Sequence, residues 1–195
     1  MAGAAHRRTA SGITALPLVL PILGIAVAWA PAGAPAWAQG NPVEYAVKAT
    51  YLYKFLPFVA WPGEGRPEAY VLCVVGDDPF GPVLDRVVEG QSVDGSPIVV
   101  RRMPALRTDA GCHVVYAGGS AAQPVAAILA GLRGRPVLSV TDGARDAASR
   151  GMVNFVVASN RVRFEIDDAL VGEAGLAISS KLLGLATIVR PRNRG

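Results

Sequence analysis

The segment 151–189 constrains the possible folds more than any other part of the chain. Two short apolar runs are separated by Ser159 and Asn160, a pair that is typical of turns. Apolar residues at helical spacing follow, and Glu173 and Lys181 are the only charged residues between positions 170 and 188. The pattern predicts a β-hairpin that leads into a long helix. Because this helix has so little polar surface, it must be buried or must bind a partner.

Short apolar runs and helical stretches alternate in the middle of the chain. The predicted strands are 70–76, 98–103, 113–117 and 136–140, and the predicted helices are 80–89 and 121–132. Such alternation favours a mainly parallel sheet with helices on both faces. With the final hairpin added as antiparallel strands at one side, the sequence predicts an α/β three-layer sandwich with a mixed sheet of about six strands.

Residues 42–60 are predicted to form a further helix that has its apolar residues on one side. These are Val43, Val47, Tyr51, Leu52, Phe55 and Val59. Glu44 and Lys48 are spaced for a surface ion pair worth roughly a few tenths of a kcal/mol. Pro57 is expected to kink this helix or to end it a turn early, because proline removes a backbone hydrogen bond.

Several blocks of the sequence together form a family pattern. They are Val47–Phe55 with Trp61-Pro62, Val71–Gly76 with Pro79-Phe80, Gly151–Phe155, Arg161–Ile166 and Ile178–Ala186. In this combination the chain resembles the YfiR family of small periplasmic proteins, over about residues 44–189. Pro57 departs from what the family usually shows, and so does Asp167, which stands where relatives have asparagine.

The resemblance implies a regulatory function. YfiR-like proteins bind the periplasmic sensory domain of an inner-membrane diguanylate cyclase and hold the enzyme inactive, and an outer-membrane lipoprotein can sequester the inhibitor. The chain is therefore expected to repress such a cyclase and to control cyclic-di-GMP signalling and biofilm formation, with a homodimer as a further option. The alternative is a small-ligand-binding sensor domain. It is less favoured because typical solute-binding proteins close two lobes around a ligand, and this chain is long enough for one.

The first 38 residues have the features of a secretory signal peptide. Arg7 and Arg8 provide the positive start, residues 16–30 provide the apolar core, and Ala36-Trp37-Ala38 provides a small-residue cleavage site. A retained membrane anchor is the alternative, although prolines interrupt the apolar stretch. Cleavage after Ala38 would give a periplasmic protein with one domain, residues 39–189, and a flexible tail, residues 190–195.

The charge balance argues against a nucleic-acid partner. The chain has 19 basic and 15 acidic residues, a formal charge of +4. Removal of Arg7 and Arg8 with the signal peptide would reduce the charge to +2 and would leave no long basic run. The arginines of the tail are too few and too close to the chain end to form a nucleic-acid-binding arm.

Cys73 and Cys112 are the two cysteines of the chain. In an exported protein an even number of cysteines first suggests a disulfide, and these positions match a cysteine pair of the YfiR family. Closing a loop of about 40 residues would stabilise the fold by roughly 4 kcal/mol. Two buried free thiols are the alternative. Some relatives carry a second pair, which this chain lacks, so redox control through that pair does not carry over.

Three loops follow predicted parallel strands at the edge where open α/β sheets usually bind ligands. They contain Asp77, Asp78, Gly118, Gly119, Ser120 and Asp142. The three acids could bind a cation, and the Gly-Gly-Ser loop could bind an anion through backbone N–H groups. Simple helix capping explains Asp78 and Ser120 equally well and is the favoured interpretation.

The familiar catalytic motifs of hydrolases, metalloproteases and P-loop proteins do not occur, so neither an enzyme nor a cofactor nor a metal site is predicted. His113 is the only histidine beyond the predicted signal peptide. Ser179, Ser180 and Lys181 cannot form a serine–lysine pair on a helix, since neighbours in sequence point to different faces.

The partner-binding surface is predicted near the carboxyl terminus. Phe164, Glu165 and Ile166 lie on the predicted edge hairpin, and Leu182, Leu183 and Leu185 lie on the predicted long helix. Apolar residues beyond those that cover the sheet would form an exposed patch. Trp61 is a further candidate anchor, although a core aromatic is favoured there. If exposed, Phe164→Ala or Leu183→Glu should relieve repression without unfolding; if these residues are core, the variants should unfold.

Overall fold

An eight-stranded mixed sheet organises the residues that the computed structural model describes, which are 41–63, 65–107 and 109–192. The strands are β1 (Val59–Ala60), β2 (Tyr70–Gly76), β3 (Ser92–Val93), β4 (Ser96–Met103), β5 (Val114–Gly119), β6 (Leu138–Asp142), β7 (Val153–Ala158), β8 (Arg161–Asp167), β9 (Ala177–Ile178) and β10 (Ile188–Arg190). The helices are α1 (Pro42–Lys54), α2 (Pro82–Val88), α3 (Val125–Leu132), α4 (Asp168–Glu173) and α5 (Ser180–Leu183), and Leu56–Phe58 form a short 3₁₀ helix.

The strands of the large sheet follow the order β10-β8-β7-β6-β5-β2-β4-β3. Neighbours from β4 through β2, β5 and β6 to β7 are parallel, and β7 and β8 form the antiparallel hairpin. The predicted α/β sandwich is confirmed. Its sheet has eight strands instead of about six, because β3 and β10 extend the two edges. A separate antiparallel pair joins β1 to β9.

Side chains of the strands alternate between two buried faces, as the period of two along a strand requires. Leu72 and Val74 of β2 belong to the larger core, which α1, α2, α4 and α5 cover. Cys73 and Val75 belong to a second core, which α3 covers. The sheet is therefore buried on both sides. Among the described residues, no helix has the length and apolar character needed to cross a membrane.

Helix α1 is shorter than the sequence predicts. It begins at Pro42, where the side chain of Asn41 accepts a hydrogen bond from the Val43 N–H at 3.1 Å. It ends at Lys54 instead of residue 60, and Pro57 lies in the 3₁₀ helix that follows. The expected effect of the proline, an early end to the helix, is thus present.

The buried side of α1 also differs from the prediction. Lys48, Ala49 and Leu52 face the core, whereas Val43 is 71% exposed and Val47 is 39% exposed. The apolar row that contains the two valines therefore points largely to solvent. A lysine occupies the position against the sheet that an apolar residue would ordinarily take.

The predicted long carboxyl-terminal helix is wrong. The segment instead forms α4, β9, α5 and β10, which are two to six residues long. Gly175 adopts a φ of 72°, which favours glycine and turns the chain out of α4. Strand β10 then returns parallel to β8, so β10, and not the predicted hairpin, forms this edge of the sheet.

The first residues of the predicted tail contact the domain. Arg190 belongs to β10, and the Arg192 guanidinium donates to the Asp168 carboxylate at 3.0 Å. Residues 193–195 and the predicted signal peptide, 1–38, lie outside the described residues.

Cys73 and Cys112 form a disulfide, with their Cα atoms 5.8 Å apart. The bond links β2 to the segment that leads into β5, and Cys73 is fully buried in the second core. Since it closes a loop with a sequence separation of 39 residues, it restricts the unfolded chain considerably.

Loss of this disulfide is expected to lower the melting temperature by several degrees, because a bond of this kind typically contributes about 2–4 kcal/mol. The measurement is calorimetry of the oxidised protein and of the Cys73→Ser/Cys112→Ser variant. Reductant should lower the melting temperature of the wild type and leave the variant unchanged. Equal melting temperatures for the oxidised and reduced wild type would contradict the expectation.

Candidate functional site

A buried ion cluster lies where α1 meets the carboxyl end of β6. The ammonium of Lys48 donates to Asp142 Oδ2 at 2.5 Å and also to a carboxylate oxygen of Glu44. The aromatic ring of Tyr45 lies 4.8 Å from Lys48 Nζ. The ion pair of Lys48 with Glu44 that the sequence predicts is present, but its predicted surface position is wrong, because Lys48 is only 1% exposed. The cluster fastens α1 to the sheet.

Burial sets the electrostatics of this cluster. It raises the pKa of the Asp142 carboxyl above its ordinary value, although the hydrogen bond and charge of Lys48 act in the opposite direction. Burial likewise raises the pKa of the Tyr116 phenol nearby, with a further contribution from the charge of Asp142. A carboxylate that is held this way by an ammonium is already satisfied by the protein.

Asp78 is also held within the protein. Its Oδ1 accepts hydrogen bonds from the N–H groups of Phe80 and Gly81, at 2.8 and 3.2 Å. Its Oδ2 accepts from Arg102 Nε at 2.6 Å, and Arg102 also pairs with Asp85 at 2.7 Å. Asp78 therefore closes the turn that precedes α2; the interpretation of Asp78 as the helix cap is wrong, because Gly81 is the N-cap. Asp78 is therefore paired with Arg102, and Asp142 is paired with Lys48.

The Gly118-Gly119-Ser120 loop packs closely against the end of β2. The Asp77 N–H donates to the Gly119 carbonyl at 2.7 Å, and a Cβ atom on Gly118 would lie 2.0 Å from the Asp77 carbonyl oxygen. The glycines are thus required by the close approach of two backbones. Ser120 Oγ accepts from the Gln123 N–H at 3.1 Å.

The three loops lie on neighbouring strands, as predicted. Helix α3 begins at Val125, so the interpretation of Ser120 as its cap is wrong. Within the part of the chain that the structure describes, no group of three or more histidine, cysteine or acidic side chains could hold a metal ion. The side chains of Asp78, Ser120 and Asp142 make hydrogen bonds within the protein.

Three residues of the predicted partner-binding surface are core residues. Phe164 is 2% exposed, Ile166 is fully buried and Leu182 is 2% exposed. The Phe164 ring lies 5.3 Å from the ring of Phe55 and 5.5 Å from that of Tyr51. The expectation that these side chains are accessible is therefore wrong. Their apolar character serves the packing of α1 and α5 on the sheet.

Glu165 and Leu183 are partly accessible. Glu165 points to the sheet face opposite Phe164, where its Oε2 lies 3.7 Å from Arg150 Nε and 3.9 Å from Arg190 Nη2. Among the described residues, these atoms of Glu165 and Arg150 have no hydrogen-bond partner. Leu183 packs against the larger core with part of its side chain exposed.

Trp61 forms an aromatic cluster at the amino-terminal ends of β2 and β5. Its ring lies 5.7 Å from the ring of Tyr70 and 5.7 Å from that of His113. This position, partly buried against the larger core, fits the core-aromatic interpretation. His113 Nδ1 accepts a hydrogen bond from the Val71 N–H at 3.1 Å.

The stability of the fold is expected to decrease as the pH falls below the ordinary pKa of histidine, about 6.5. Burial lowers the pKa of His113, and a protonated Nδ1 could no longer accept from Val71. The unfolded chain therefore binds the proton more strongly, so stability is full above about pH 6.5 and is lost toward the lowered pKa. Urea unfolding at about pH 7.5 and about pH 5.5 measures the effect. In His113→Asn the loss should be smaller, and an equal loss would contradict the assignment.

The structure leaves an apolar surface open near the carboxyl terminus, of which the sequence predicts Leu185 but not the two residues of β10. Leu185 is 63% exposed, Ile188 48% and Val189 37%, and we refer to these three residues as the carboxyl-terminal surface. Among the described residues, no strand pairs with the outer edge of β10, and such an edge can accept a strand from another chain. Because the residues of this segment have helical spacing, the sequence does not predict the edge strand.

A protein-family model matches most of the chain. The family model described as YfiR/HmsC-like matches residues 45–187, which is well over half of the chain. The matched range begins in α1 and ends immediately before β10, so it includes the ion cluster, the disulfide and the hairpin.

Proposed function

The chain belongs to the YfiR/HmsC-like family, and on this premise we propose that it is a periplasmic regulator that binds and represses the sensory domain of an inner-membrane diguanylate cyclase. The observation that carries the proposal is the match over residues 45–187. The family is regulatory rather than catalytic. A regulator of this type needs a stable fold with an accessible apolar surface and no reaction chemistry of its own.

The carboxyl-terminal surface supports the binding part of the proposal. Protein interfaces commonly use exposed apolar patches, and Leu185 is among the most exposed large apolar side chains of the described residues. This surface adjoins the region that the sequence indicates for the partner, although Phe164 and Leu182 themselves are buried. Glu165 and Leu183 remain partly accessible beside it.

The test measures cyclic-di-GMP in cells with and without the protein. Deletion should raise the cyclic-di-GMP level when an active cyclase is present and should have no effect beside a cyclase whose catalytic domain has been inactivated. Purified protein should also bind the isolated periplasmic domain of that cyclase in calorimetry. An unchanged cyclic-di-GMP level together with absent binding would refute the proposed function.

A further inference from the structure

A second apolar surface lies on the side of α1 that faces away from the sheet. A groove of about 720 Å³ runs between α1 and α2, and its apolar walls include Val43, Val47, Tyr51 and Val83. The first three of these residues are spaced by four along α1, so they form one continuous row. We refer to this feature as the helix groove.

The row remains exposed because α1 uses its other side to contact the sheet. Lys48, Ala49 and Leu52 occupy that side, and the buried ion cluster fixes the rotation of the helix about its axis. Val43 and Val47 therefore cannot turn inward, and they remain 71% and 39% exposed. Apolar groups held in water by the fold are a feature of interaction surfaces.

The charges on the helix groove have one sign. Lys54 and Arg86 line it, no acidic residue does, and both basic side chains are exposed. Within the described residues neither makes an ion pair; the nearby Asp85 pairs with Arg102 instead. The groove thus presents apolar walls beside two exposed cations that make no ion pair with the described residues.

The charge pattern of the helix groove favours one kind of binding partner over another. A second copy of the chain that packed its own helix groove here would contribute no acidic residue to Lys54 and Arg86, and would bring two further cations into the interface. Like charges brought together in an interface oppose association. An acidic partner satisfies both the apolar walls and the charges.

Building on the proposed function, we infer that the helix groove binds an acidic amphipathic helix in the periplasmic segment of the cyclase. Apolar residues at positions i, i+4 and i+7 of that helix would pack against Val43 and Val47. Carboxylates beside this apolar stripe would face Lys54 and Arg86. The carboxyl-terminal surface would then be a separate contact.

The first test introduces a charge into the helix groove. Val47→Glu is expected to weaken binding to the cyclase's periplasmic domain by about tenfold or more, because a carboxylate would be placed among apolar groups and opposite the partner's acids. Val157→Glu is the matched control, since Val157 is 52% exposed and lies on β7 outside the groove. Both variants should keep the circular dichroism spectrum and melting temperature of the wild type.

The second test reverses the charges. Binding of the wild type should weaken as the salt concentration rises, because salt screens exposed charges. Lys54→Glu/Arg86→Glu should bind more weakly than the wild type at low salt, and its binding should strengthen with added salt. A partner domain in which acidic residues are replaced by lysine should restore binding to this variant.

The outcomes separate the two proposals. If the wild type does not bind the cyclase domain, the proposed function fails. If the wild type binds and Val47→Glu binds equally well, the helix groove is not the docking site. A Val47→Glu variant that loses only self-association, measured by light scattering, would show a second copy in the groove and would equally overturn the inference.

Discussion

The Lys48→Met variant is expected to lose about 3–5 kcal/mol of unfolding free energy, because removal of one partner leaves a buried charge without compensation. The Asp142 carboxylate, whose side chain is 18% exposed, would lose its ammonium partner, and Glu44 would lose the same partner closer to solvent. Urea unfolding monitored by circular dichroism measures the loss.

The charge explanation can be tested with two comparisons. Lys48→Met/Asp142→Asn should recover part of the lost stability, since the buried carboxylate is gone. The deficit of Lys48→Met should also shrink at low pH. Burial already raises the pKa of Asp142, and loss of Lys48 raises it further. The folded variant therefore binds the proton more strongly, and its stability recovers as the pH falls through that raised pKa. A deficit that is independent of pH would indicate lost packing instead.

Phe164→Ala is expected to destabilise the fold by about 3–5 kcal/mol, which is the usual cost of truncating a buried phenylalanine. The ring fills the space between Tyr51 and Phe55 of the α1 region and the sheet. Repression should be lost in cells because the folded protein is depleted, and not because a contact with the partner is missing.

Leu185→Ala provides the control for Phe164→Ala. Leu185 is 63% exposed, so its truncation should change the free energy of unfolding by less than about 0.5 kcal/mol. Periplasmic protein level, measured alongside the unfolding curves, distinguishes loss of fold from loss of binding. A Phe164→Ala variant with wild-type stability would show that the aromatic cluster is not part of the core.

The sheet could be predicted from the sequence because its central strands have strong local signals. The apolar runs of β2, β5 and β6 are continuous, since strands covered on both faces need no alternation, and loops rich in glycine and aspartate separate them. The early end of α1 could also be predicted, because the effect of Pro57 depends only on the neighbouring backbone.

The burial of Lys48 could not be predicted from local sequence, because residues far away in the chain create its environment. At spacing i, i+4 from Glu44 it has the pattern of an exposed ion pair. A signal was nevertheless available: Tyr45, Lys48, Ala49 and Leu52 have the spacing of a core-facing row, and the lysine belongs to it. The row predicted from the sequence is right for Leu52, which is buried, and wrong for Val43 and Val47, which face solvent.

In the carboxyl-terminal segment, the local sequence pattern predicts the wrong secondary structure. Its leucines and isoleucines have helical spacing, but they belong to several short elements, so the periodicity does not reflect one helix. Gly172, Gly175 and Gly184 were the local signal against a long helix. The surface predicted on that helix consequently included core residues such as Leu182.

The ion cluster also constrains the order in which the parts of the chain can fold. Lys48 and Asp142 are separated by 94 residues, and the aromatic partners of α1 on β7 and β8 follow later still. A chain that emerges amino terminus first presents α1 long before the surface on which it docks exists. Tyr45 can meet Phe80 early, but the part of α1 that packs on β6, β7 and β8 stays exposed until these strands have emerged. Such dependence on distant contacts slows folding.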